Sequence, residues 1–111
     1  MITADTVTDE QIRELRDGAA GFRERDIVHA CDVALTAGHA RRDIARARCA
    51  NLINMKPAIE TARRLRRRVV TAIGTSPCPL CGKSIIVGEL IAVARGTRTV
   101  HVTCLAQSVR S

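Results

Sequence analysis

Four residues in the last third of the chain constrain its folding more than any other feature. They are the outer members of Cys78-Pro79-Leu80-Cys81 and, nineteen residues later, of His101-Val102-Thr103-Cys104. Two short chelating pairs, C-x2-C and H-x2-C, supply the four sulfur and nitrogen donors of a tetrahedral zinc ion with little backbone strain. Gly82, directly after the second cysteine, suits a tight knuckle in which backbone amides turn toward a thiolate sulfur. Four protein ligands leave no place for an activated water. The expectation is therefore one structural Zn2+ held by Cys78, Cys81, His101 and Cys104. Its role would be to fold a segment of about 35 residues that is too small to hold itself together.

Other readings of these residues fit less well. A redox dithiol at Cys78 and Cys81 normally precedes a helix, whereas here a strand-like run follows. Pro77-Cys78-Pro79-Leu80-Cys81 also matches the second half of a zinc deaminase signature. That chemistry needs an upstream H-x-E, but His29 is followed by Ala30-Cys31 and His39 by Ala40-Arg41. The bland alternative is a set of unrelated cysteines and a surface histidine, which the paired spacing disfavours.

Between the two pairs, Ser84 to Val100 is rich in β-branched residues, with turn signals at Gly88-Glu89 and Arg95-Gly96-Thr97. This reads as a hairpin, after which Thr103 or its neighbours open a short helix. Knuckle, hairpin and a ligand pair at a helix start is a layout that resembles treble-clef zinc fingers. The spacing is similar to the first half of a LIM-type unit, without that unit's second ligand set. The resemblance implies a fold and a metal for residues 78–111, and no particular partner, because treble clefs serve several functions.

Ahead of this segment the pattern is helical. Thr8 and Gln11 form a capping box, Val7 and Ile12 a hydrophobic staple, and Asp9 and Glu10 complement the helix dipole. This first helix should fade near Gly18 and Gly21, with Phe22, the chain's one aromatic ring, as a core anchor. A second helix is expected from Glu24 to Thr36, with Gly38 as its C-cap, and a third from Ala40 to Asn54. Ile44, Ala45, Cys49, Leu52 and Ile53 form the apolar stripe of the third, and Cys31 and Cys49 read as small core residues. A fourth helix should run from Pro57 to Ala72. The expected architecture is α+β: a helical module over residues 1–73, a linker at 74–77 (Gly74-Thr75-Ser76-Pro77), and the zinc module over 78–111.

The 111 residues allow one domain or two very small modules and exclude large enzyme architectures. Charge is uneven: −4 over residues 1–37, +8 over 38–72 and +3 over 73–111. In the fourth helix, Arg63, Arg64, Arg67 and Arg68 fall on one arc beside the apolar stripe, and Arg66 lies at the stripe's edge. Like charges four apart disfavour an isolated helix, so their density suggests a compensating anion. Arg41 and Arg42 of the third helix, with Arg46 and Arg48, would extend this phosphate-tracking face. The competing reading is a solvated basic surface, or one covered by the acidic first helix. Lys83, Arg95 and Arg98 near the hairpin read first as ordinary solvated residues.

Thr8-Asp9-Glu10-Gln11-Ile12-Arg13, Leu15-Arg16, Asp26, Cys31, Ala34-Leu35 and Arg48-Cys49-Ala50 together resemble a helical segment of many small uncharacterised proteins of phages, plasmids and related elements. That resemblance implies an accessory protein of a mobile element and carries over no catalytic residue. No apolar run follows a basic start, and Ile85 to Ala94 is too short to span a bilayer, so neither a secretory signal nor membrane insertion is expected. Five cysteines in this arrangement suit the reducing cytoplasm better than a secreted disulfide framework.

These features lead to a non-enzymatic, zinc-containing accessory protein that binds nucleic acid, DNA in preference to RNA, through its arginine face. The alternative is a protein-binding adaptor that engages a host protein. A metal-dependent nuclease would need an open metal and a base, and the sequence offers neither.

Overall fold

Thr8 starts the first helix by the expected mechanism. Its hydroxyl accepts the Gln11 amide at 3.1 Å, while the Gln11 side-chain oxygen accepts the Thr8 amide at 2.9 Å. Val7 and Ile12 are both buried beside this cap. The computed structural model describes residues 1–110, and they form two units, Met1–Lys56 and the remainder from Pro57. The architecture is α+β, with four helices ahead of small antiparallel sheets and a fifth helix after them.

The first unit contains α1 (Asp9–Gly21), α2 (Arg25–Thr36) and α3 (His39–Asn54). Arg23 ends α1 in the left-handed region at φ 56°. Its amide donates to the Ala20 carbonyl at 3.1 Å and that of Glu24 to the Ala19 carbonyl at 2.9 Å, the paired bonds of a Schellman cap. The core sets Ile12, Ile27 and Leu52 among small side chains, with Ala19, Ala30, Cys31, Ala34, Ala45 and Cys49 all buried. The Cys31 and Cys49 sulfurs meet at 3.9 Å. The adjacent Cys49 thiol, together with burial, pushes the Cys31 thiol well above its ordinary range. The same contact lowers Cys49, and both side chains are wholly buried among the helices, where they fill the core as small apolar groups.

Ion pairs join these helices. Arg16 Nε donates to Asp32 Oδ1 at 2.6 Å between α1 and α2. Arg46 on α3 reaches Asp9 Oδ1 at 2.7 Å and the Val7 carbonyl at 2.6 Å. The Asn54 side chain holds Ile2 by two bonds, at 2.7 and 3.0 Å.

Three local expectations change here. Phe22 is 54% exposed and Ile44 74%, so neither enters the core. Phe22 falls on the chain reversal at the end of α1, and the stripe of α3 is rotated onto Ala45, Cys49 and Leu52. Gly38 is the N-cap of α3, and Ala37 ends α2.

The larger correction concerns the fourth helix. It is α4 (Lys56–Arg64), and it does not continue to Ala72. Arg66 takes φ 59°. Its amide donates to Arg63 at 3.0 Å and that of Arg67 to Ala62 at 2.9 Å, a second Schellman cap that carries arginine where glycine is usual. The residues that follow are β1 (Arg68–Thr71), whose Val69-Val70-Thr71 favours a strand over a helix. The reversal also separates Arg63 from Arg67 and Arg64 from Arg68, relieving the like-charge pairs that a continuous helix would contain.

The second unit also contains β2 (Ser76–Pro77), β3 (Ser84–Ile85), β4 (Leu90–Val93), β5 (Val100–His101) and α5 (Val102–Arg110). β1, β4 and β5 form an antiparallel sheet in the order β1-β4-β5, and β2 pairs with β3. The register sets Arg68 opposite Val93, Thr71 opposite Leu90 and Ile91 opposite His101. The expected linker at 74–77 therefore ends in a strand, and residues 57–73 join the sheet unit. Val69, Ala92, Val100 and Val102 are buried at its centre.

Two stability effects follow. Arg23→Gly is expected to raise the stability of the first unit by about 1 kcal/mol in urea denaturation, because it relieves a left-handed non-glycine residue, and Thr8→Ala to lower it by about 1 kcal/mol. Acid sensitivity should trace to Asp9, whose carboxyl is held below the usual range chiefly by the Arg46 hydrogen bond. Its contribution is complete above an unfolded value of about 3.9 and is lost as pH falls through the lower folded value. Stability of Asp9→Asn should therefore fall less steeply than wild type across that acid window.

Candidate metal centre

The Cys78–Cys81 segment is a knuckle between two strands. β2 leads into Cys78, whose amide donates to the Lys83 carbonyl at 2.9 Å, and the Gly82 amide returns to the Cys78 carbonyl at 2.9 Å. Closing so short a loop requires Gly82 at φ 74°, where a side chain would be strained. β3 then pairs back on β2, so the expected hairpin over residues 84–100 is divided. A turn closed by the Glu89 amide on the Ile86 carbonyl at 3.0 Å, with Gly88 at φ 96°, leads into β4. The hairpin proper is β4–β5, turning through Gly96 at φ 77°.

β5 ends at His101, and α5 begins one residue later. The two remaining donors thus come from the last residue of a strand and the first turn of a helix. The donor atoms of Cys78, Cys81, His101 and Cys104 all lie within 4.8 Å of one another. His101 Nδ1 is 3.5 Å from Cys81 Sγ and 3.6 Å from Cys104 Sγ. This set could hold one metal ion. Cys78 is fully buried, His101 and Cys104 are half-buried, and Cys81 is open to solvent.

The electrostatics suit a cation. Burial opposes ionisation of Cys78, but the amides of His101, Cys81 and Leu80 and the Cys81 side chain outweigh it and hold the thiol at about 6. Cys104 is pushed up to about 11, first by burial and then by the neighbouring Cys81 and Cys78. One thiolate is thus stabilised by backbone dipoles while another is opposed by its neighbours, a conflict that a central divalent cation removes.

Sequence reasoning did not find Glu89. Its Oε1 accepts the Ile86 amide at 2.6 Å and lies 3.2 Å from His101 Nε2. Those contacts, the Ile86 amide foremost, hold its carboxyl below the ordinary range. Burial lowers His101, but hydrogen bonds to Glu89, Cys81 and Cys78 outweigh it and raise the imidazole. Glu89 orients the ring so that Nδ1 faces the three sulfurs, as carboxylates behind metal-bound histidines do. The relevant signal was register: with Ile91 opposite His101, Glu89 is a diagonal cross-strand neighbour on the same face. The sequence alone presented it as a turn residue.

The expected arginine face is not a single helix face. Arg63 and Arg64 occupy the last turn of α4, where Arg64 donates to Thr61 Oγ1 at 3.1 Å. Arg67 lies beyond that helix and donates to the Arg98 carbonyl at 3.3 Å, and Arg68 is the exposed first residue of β1. Arg41 and Arg42 are exposed on α3 of the first unit. Arg46, expected to extend the face, is instead committed to Asp9 and Val7.

No protein-family model, curated protein or solved structure matches the chain. Among the described residues, no helix is long and apolar enough to cross a membrane.

Loss of the Glu89 contact should weaken metal binding without abolishing it. In a chelator competition assay, Glu89→Gln is expected to lower affinity by about 10-fold to 100-fold, whereas Cys78→Ser should lose stoichiometric binding.

Proposed function

We propose that this is a small accessory protein that binds nucleic acid, DNA in preference to RNA, through arginines carried on a module organised by one structural zinc ion. Zinc is the metal that best suits three sulfurs and one imidazole nitrogen. With bonds of about 2.3 Å to sulfur and 2.0 Å to nitrogen, a tetrahedral zinc site has sulfur–nitrogen edges of about 3.5 Å. The separations of 3.5 and 3.6 Å from His101 Nδ1 match that edge. The order of knuckle, hairpin and ligand-bearing helix start supports assigning the module to the treble-clef type. Four protein ligands would close the coordination sphere, so the ion would act in folding and the protein would not be an enzyme.

The observation that carries the nucleic-acid reading is the division of charge between the units. Residues 1–56 contain nine Lys and Arg against nine acids, and residues 57–111 contain nine against two. The whole net charge of +7 therefore belongs to the module with the metal centre. Such an excess favours a polyanion and steers its approach. The module has no Phe, Tyr or Trp, so single-strand recognition by stacking is disfavoured relative to contact with duplex phosphates.

The second reading, an adaptor of a phage or mobile element that engages a host protein, is favoured by one observation. Ile73, Leu80, Ile86 and Val87 are 47–94% exposed, large aliphatic side chains that a protein partner would cover.

The test is paired. Purified protein should carry about one zinc per chain, as one tetrahedral site requires, and should retain a labelled DNA duplex at low salt, releasing it steeply as salt rises. Stoichiometric zinc without duplex retention would transfer support to the adaptor.

A further inference from the structure

In the second unit the sheet sets part of the expected helix face, Arg66 to Arg68, beside two arginines that the helix reading left out. Antiparallel pairing sets Arg68 opposite Val93, the last residue of β4. The β4–β5 turn that follows carries Arg95 and Arg98. Arg67, one residue before β1, bonds the Arg98 carbonyl at 3.3 Å and fixes this turn beside the start of the strand. Arg66 precedes it on the Schellman reversal. Five arginines thus gather at one end of the three-stranded sheet, on backbone held by the ladder and by two turns.

Within its own unit, and among the described residues, no acid pairs with this end. The second unit has two carboxylates. Glu89 is bound to Ile86 and His101 at the far end of β4, and Glu60 sits at the middle of α4. Arg66, Arg68, Arg95 and Arg98 are exposed, and among the described residues none of the four forms an ion pair. In the first unit, by contrast, Arg16 and Arg46 are spent on Asp32 and Asp9.

The placement also distinguishes one polyanion from another. Membrane-surface binding needs apolar side chains on the same face as the basic ones. Here Ile73, Ile86 and Val87 flank the opposite end of the sheet, where the Ala72 amide meets the Glu89 carbonyl at 2.8 Å and the Gly88 amide meets Ala72 at 2.9 Å. The length of β1, about 10 Å at about 3.3 Å per residue, separates the two. The basic end carries one large exposed aliphatic residue, Leu65 at 45%, against three at the other end, so charge dominates it, as contact with a phosphate backbone requires.

Resting on the nucleic-acid reading above, we infer that the sheet end formed by Arg66, Arg67, Arg68, Arg95 and Arg98 is the phosphate-contacting site, and that it binds the backbone of duplex nucleic acid. The metal lies toward the other end, since His101 pairs with Ile91. A bound ion would act on this site by holding β5 and α5 in place.

The experiment measures binding of the full zinc-loaded chain to a labelled DNA duplex over a salt series, with anionic phosphatidylserine vesicles as a second probe. Arg68→Gln/Arg95→Gln/Arg98→Gln removes exposed charge while leaving the Arg67 contact, and unchanged zinc content and circular dichroism establish that it folds. Arg41→Gln/Arg42→Gln, on α3, is the comparison. The triple variant is expected to lose at least tenfold in duplex affinity and to flatten the log–log salt slope by up to about 2.7, at about 0.9 per contact. The α3 double variant should keep both. If wild type binds but the triple variant retains its slope while the double variant loses it, the site is overturned and the nucleic-acid reading survives. If wild type binds no duplex at low salt, or binds vesicles in preference, both fall.

Discussion

Three thiols and an imidazole brought within 4.8 Å of one another set the form of the second unit. Without a cation between them these groups oppose each other: Cys104 resists ionisation because it is buried and because Cys81 and Cys78 are adjacent. A divalent ion held there would turn that opposition into cohesion. It would also join segments separated by nineteen residues, linking the knuckle between β2 and β3 to the junction of β5 and α5. The unit has short strands and a core of mostly aliphatic side chains, and a module of this size gains little from burial alone. Tetrahedral coordination would therefore contribute folding free energy that the apolar core does not supply.

Two ends of one sheet then acquire different roles. At the Leu90 end lie His101, the Glu89 carboxylate that orients it, and the exposed Ile73, Ile86 and Val87. At the Val93 end lie the start of β1 and the arginine-bearing turn. The separation arises at Arg66, whose left-handed backbone ends α4 and sends the following residues into the sheet. Had the helix continued, its arginines would have lain four apart along one face, repelling one another. Reversal distributes them over a helix end, a turn and a strand, and the β4–β5 turn brings two more beside them.

The cluster of four candidate ligands was legible because its two pairs are local. C-x2-C and H-x2-C fix donor geometry within four residues, and the position of Gly82 after Cys81 is explained by its positive φ. The capping box at Thr8 and Gln11 was legible for the same reason. What depended on pairing was not. Ala62, Leu65, Val69 and Ile73 recur at helical spacing, yet Val69 is buried opposite Ala92 in a strand and Ile73 is 94% exposed. A stripe that mixes three- and four-residue steps cannot by itself distinguish a helix that continues from one that ends and passes into a buried strand. A left-handed cap made by arginine gives no glycine to mark the break. Glu89 and Arg98 acquire their neighbours only through the β4 register, which no local pattern specifies.

Charge distinguishes the two units more sharply than their folds do. In the first, positive and negative side chains are equal in number, and two of the arginines are bound to acids on other helices. There charge serves to hold helices together. In the second, nine basic residues face two acids, one of which is occupied with the metal-site histidine. Such an imbalance weakens a small fold through self-repulsion, and a partner that supplies phosphate relieves it. A module without aromatic rings would make its contacts chiefly to that backbone, which positions a protein without reading sequence. Affinity and metal would then be coupled only through the sheet: coordination fixes β5, β5 fixes β4, and β4 sets the turn in which Arg95 and Arg98 stand beside Arg68.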